Sequence, residues 1–141
     1  MKILSIFFLR IASGLLMVLW GLDKLVNPDH AMFVSNTFYM GLFSLQWLLQ
    51  VFGVLQVLLG LLIVVGFCRQ FTYPLLLLIN TCSMLAVWKS VVDPLGFFFE
   101  GSKRLFFPSL IIFCAVLVLI AFRKEDKFSL DSHQNSSKSS T

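Results

Sequence analysis

Along the chain, long apolar stretches alternate with short polar breaks. Four stretches stand out: about Ile3 to Leu22, Leu42 to Phe67, Tyr73 to Val92 and Phe106 to Phe122. Each is close to the roughly 20 residues that carry a helix across a bilayer core. The pattern predicts an all-α integral membrane four-helix bundle over residues 1–128. Pro28 and Pro94 follow the first and third stretches, and Pro74 and Pro108 are expected in the first turns of the third and fourth, where a missing N–H costs nothing. Between the first two stretches, Asn27 to Met40 is polar and aromatic by turns, which suits a short helix in the headgroup layer, and Leu95 to Leu105 reads the same way. From Ser129 to Thr141 the chain is Ser, Asn, Gln and Lys with little to bury, so this tail is expected to be disordered.

The polar residues inside the apolar stretches have a phase. At 100° per residue, Arg10, Ser13, Gly14, Met17, Gly21 and Lys24 share one arc of the first helix. Gln46, Gln50, Gly53, Gln56 and Gly60 share an arc of the second, and Tyr73, Asn80, Ser83, Met84 and Ser90 form a weaker face on the third. Three such faces predict a polar intramembrane seam built from Arg10, Lys24, Gln46, Gln50, Gln56, Asn80 and Ser83. Gly14, Gly21, Gly53 and Gly60 would let backbones approach beside it. Two roles stay open at this point. Arg10 is either a snorkelling anchor or a cation facing a buried polar site, and the glutamines either glue helices by bonds of about 1 kcal/mol or contact a ligand.

Composition narrows the setting. Of 141 residues, 58% are hydrophobic and only 13% charged, with mean hydropathy +0.90. That is about half the charge of an ordinary soluble domain, so lipid is the expected solvent. The net charge of +4 lies at the edges of apolar runs, not in a patch with interleaved aromatics, which excludes nucleic-acid binding as a reading. Cys68, Cys82 and Cys114 form no CxxC pair, and His30 and His133 are isolated, so neither a dithiol motif nor a metal site is assigned. The first stretch is too long for a signal-peptide core and carries Arg10, so it reads as retained. Lys2, Arg69, Arg123, Lys124 and Lys127 outnumber Lys24, Lys103 and Arg104 on the opposite side, with Lys89 near that second boundary, so both termini are expected in the cytoplasm. Asp23, Asp29, Asp93 and Glu100 fall on the far side within reach of water, with Asp23 expected to pair with Lys103 or Arg104.

The run Arg10-Ile11-Ala12-Ser13-Gly14, followed by Gly21-Leu22-Asp23-Lys24-Leu25, resembles the opening of the DoxX family of small four-helix membrane proteins. In the second helix that family tends to have an acid, two glycines and a basic residue, and here Gln56, Gly60, Gly66 and Arg69 stand at similar spacing. The acid is replaced by an amide, which removes a charge from any pairing or proton role it would have. The resemblance implies a multi-pass protein of the bacterial cytoplasmic (inner) membrane. Some members are subunits of a thiosulfate:quinone oxidoreductase and others are associated with oxidative stress, while the similar MauE group is linked to maturation of a disulfide-containing enzyme subunit. The lack of a cysteine pair argues against thiol exchange here.

Three functions follow as expectations. The first is a redox-associated accessory subunit, not catalytic alone, whose seam contacts a quinone headgroup or a membrane or periplasmic partner subunit; no other cofactor is implied. The second is a small-solute transporter, disfavoured by the lack of an intramembrane acid unless the chain forms a homo-oligomer. The third is a structural scaffold in which the Gln and Gly arcs only pack helices.

Overall fold

The computed structural model describes residues 1–41, 45–100 and 106–138. Within them the chain is all-α: α1 (Lys2–Val26), α2 (Pro28–Phe38), α3 (Gln46–Val65), α4 (Arg69–Ala86), α5 (Trp88–Val92), α6 (Pro108–Ala121), a 3-10 turn (Arg123–Glu125) and α7 (Leu130–Lys138). The expected start of the second stretch at Leu42, and Lys103 and Arg104, lie outside the described residues. α1 and α3 are long and apolar enough to cross a membrane; α6 is apolar but has 14 residues. α4 is an 18-residue helix whose ends carry Arg69 and Asn80 to Ser83, and α5 prolongs it after a break at Val87.

The helix boundaries have local causes. Asn27 ends α1 and Pro28 opens α2 at a position that needs no N–H. α3 ends on Gly66 in the left-handed region (φ 77°), where the N–H groups of Gly66 and Phe67 both reach the Leu62 carbonyl at 2.9 and 3.0 Å. α4 starts four residues earlier than expected, so Pro74 lies inside the helix and not in its first turn. The reason is distant in sequence. Both carboxylate oxygens of Asp131 accept the first N–H groups of α4, from Cys68 at 3.0 Å and Arg69 at 2.9 Å.

That contact also bears on the tail expected to be disordered over 129–141, of which 139–141 lie outside the described residues. Residues 130–138 are helical, Ser129 is fully buried, and Phe128 packs its ring edge on Phe7 of α1 at 5.5 Å. The tail folds back because its few large or charged groups, Asp126, Phe128 and Asp131, each have a docking point on α1 or α4.

Packing is led by α1 against α3 and α4 against α6. α1 and α3 run antiparallel with Gly14 facing Gly60 and Gly21 facing Gly53. A Cβ at Gly60 would lie 2.6 Å from the Gly14 carbonyl oxygen, and one at Gly21 would lie 2.7 Å from that of Gly53, so only glycine allows this approach. Side-chain distribution is inverted relative to a soluble protein. Arg10, Gln56 and Asn80 are buried, whereas Phe8, Leu19, Leu55, Leu58 and Phe71 are exposed. Such an arrangement is stable where the surroundings are hydrocarbon, since the exposed apolar side chains then lose nothing and the polar ones find partners inside.

Candidate functional site

The buried face of α1 carries cations near both ends, Arg10 and Lys24, about 21 Å apart along the helix. They belong to two separate polar clusters. At the Lys24 end, Nζ donates to the Gln56 amide oxygen at 2.9 Å and to the Trp20 carbonyl at 3.2 Å. The Phe52 ring lies 5.9 Å from the ammonium. Gln56, buried, turns its Nε2 toward the Met17 sulfur at 3.6 Å, and a thioether is a weak acceptor. Of the three ammonium hydrogens, two are taken by these oxygens, and the third has no acceptor among the described residues.

At the other end Arg10 is 2% exposed and donates from Nη1 to Asp126 Oδ2 at 2.6 Å, with Asp126 fully buried. Nη2 donates to the Phe128 carbonyl at 3.2 Å. Arg69 lies 3.8 Å from the same carboxylate oxygen, donates to the carbonyls of Arg123 and Asp126 at 2.6 and 3.1 Å, and sits 3.5 Å from Asp131. The Tyr73 hydroxyl completes the set by donating to Asp126 Oδ2 at 3.5 Å. Two arginines from different helices thus close on one buried carboxylate. The second oxygen of Asp126 and the Nε atoms of both arginines have no hydrogen-bond partner among the described residues.

The predicted seam is therefore brought together only in part. Lys24 and Gln56 meet; Arg10 does not join them, and it is ion-paired instead of snorkelling. Gln46 and Gln50 are exposed: Gln46 opens α3, and Gln50 borders a shallow outer groove of about 360 Å³ with Trp47, Val51, Val54 and Leu55. Asn80 is buried but donates to the Leu76 carbonyl of its own helix at 2.9 Å. Ser83 accepts from the Tyr39 hydroxyl at 3.2 Å, which ties the end of α2 to α4. Asp23 pairs with His30 at 2.8 Å and accepts from Asn27 at 3.3 Å.

Sequence reading missed Asp126 and Asp131. A signal was available: Arg10 and Arg69 both fall on buried faces and require anions, and the run Arg123-Lys124-Glu125-Asp126-Lys127 is the nearest acidic segment on that side. Among the described residues no cluster of His, Cys, Asp and Glu could hold a metal ion.

No curated protein and no solved structure matches the chain. Residues 5–90 match the DoxX family, a span that contains Arg10, Lys24, Gln56, Arg69 and all four helix-packing glycines. With more than half its length covered by that match, the chain belongs to the DoxX family of membrane proteins.

Proposed function

We propose that the protein is a redox-associated accessory subunit of the bacterial cytoplasmic membrane, and that the Lys24–Gln56 pair is its contact with a quinone headgroup. In this reading α1, α3, α4 continued by α5, and α6 cross the membrane, both termini face the cytoplasm, and a partner subunit carries the electron donor. The observation that supports it is the weak commitment of the seam's donors. Among the described residues Lys24 keeps one N–H unspent, and Gln56 Nε2 faces only a sulfur. A quinone carbonyl is an acceptor of the kind both lack, and the Phe52 ring beside the ammonium suits a planar headgroup. A bound quinone would supply the acceptance of two electrons; the residues of this chain would hold and orient it.

The scaffold reading is favoured by a different observation, the glycine contacts between α1 and α3 and the in-house pairing of Arg10 and Asn80. Quinone extracted per mole of purified protein separates the two. The accessory-subunit reading expects retained quinone in the wild type and its loss in Lys24→Met at unchanged helix content. A protein devoid of quinone in both forms supports the scaffold.

A further inference from the structure

At the end of the molecule where α4 begins and α6 stops, a depression of about 270 Å³ is lined by Arg69, Gln70, Arg123, Lys124, Asp131 and Gln134. Three cations face one carboxylate there. That carboxylate accepts two backbone N–H groups at the start of α4 and pairs with Arg69, which is also held by Asp126 and two carbonyls, so Arg123 and Lys124 are the cations left over. Arg123 and Lys124 have no side-chain hydrogen bond or ion pair among the described residues. The depression is thus a ready receptor for a group with several negatively charged oxygens.

Its surroundings indicate what carries that group. The exposed Phe122 precedes Arg123 at the end of α6, so these cations stand where an apolar helix ends. Charge at that level suits the headgroup of a lipid whose acyl chains lie along the exposed apolar helix surface.

We propose that this depression binds the phosphate headgroup of an anionic phospholipid. The site is separate from the Lys24–Gln56 seam and does not depend on its role. Arg123 and Lys124 reach it because Asp126 and Asp131 anchor the C-terminal segment beside α4.

The test uses the full-length protein in detergent, titrated with phosphatidylglycerol, phosphatidylcholine or inorganic phosphate and followed by native mass spectrometry and thermal unfolding. Phosphatidylglycerol is expected to bind and stabilise, and the double variant Arg123→Gln/Lys124→Gln to bind it about 30-fold more weakly, at roughly fivefold for each surface cation removed. Lys127→Gln, a neighbouring exposed cation outside the depression, is expected to bind as the wild type does. An equal loss in Lys127→Gln, or equal binding of phosphatidylcholine, would overturn the site. Equal stabilisation by inorganic phosphate would overturn its assignment to a lipid.

Discussion

Arg10 Nη1 donates to Asp126 Oδ2 at 2.6 Å between residues 116 positions apart, and both side chains are shut off from solvent. This one bond fastens the C-terminal segment to the first helix. It also converts an arginine that would be costly in lipid into half of a neutral pair. Removing Asp126 leaves Arg10 buried without its anion, and removing Arg10 leaves Asp126 buried with only Arg69 at 3.8 Å and the Tyr73 hydroxyl beside it. Arg10→Leu and Asp126→Leu are each expected to destabilise by about 3–5 kcal/mol, whereas the double replacement costs clearly less than the sum. Denaturant unfolding of the four proteins in detergent measures the coupling directly.

The glycine contacts make a graded prediction. A Cβ at Gly60 would meet the Gly14 carbonyl at 2.6 Å, while one at Gly53 would meet that of Gly21 at 3.0 Å. Gly60→Ala should therefore lower the melting temperature more than Gly53→Ala, and Leu at either position should prevent α1 and α3 from closing. Thermal unfolding of the pair of alanine variants ranks them.

Asp131 acts on α4 as a cap delivered from elsewhere in the chain. Asp131→Ala should cost about 1 kcal/mol and raise amide exchange in the first turn of α4, leaving the Asn80 turn protected. Asp131→Asn, which keeps an acceptor oxygen, should restore part of the protection.

The loop after α5 supplies a pH dependence. The Asp93 carboxylate accepts the N–H of Phe98 at 2.6 Å, of Phe99 at 3.0 Å and of Phe97 at 3.1 Å. The Phe98 N–H lowers its pKa most, burial opposes the shift, and Phe99, Phe97 and Gly96 add to it, so that the group titrates below its ordinary 3.8. With the folded value the lower one, the loop's added stability is complete above pH 3.8 and is lost as pH falls through the folded value. Amide exchange at Phe97 to Phe99 should thus be slow at neutral pH in the wild type and fast in Asp93→Asn, the difference vanishing in strong acid.

What the sequence reveals and what it hides divide along a physical line. Helical periodicity shows which face of α1 and α3 turns inward, so Gly14, Gly21, Gly53, Gly60, Lys24 and Gln56 could be placed from spacing alone. Periodicity carries no information on where along the bundle a residue sits. Arg10 and Lys24 share an arc yet stand at opposite ends, and Gln46 shares an arc with Gly53 yet lies beyond the packed region. The remaining differences come from contacts across the chain. The polar composition of the tail suggests disorder, and contacts with distant helices, through Arg10, Arg69, Phe7 and the first N–H groups of α4, make a docked segment of it. The early start of α4 has the same origin, since its cap comes from residue 131.

The central proposal is that the Lys24–Gln56 pair contacts a quinone headgroup where a redox partner docks. The most direct test is purification of tagged wild type and Lys24→Met from native membranes in mild detergent, with mass spectrometry of the attached proteins and assay of co-purified quinone. The account predicts that the wild type brings down a redox enzyme subunit together with quinone and that Lys24→Met loses both while remaining folded. Recovery of the wild-type protein alone, without quinone, would contradict it.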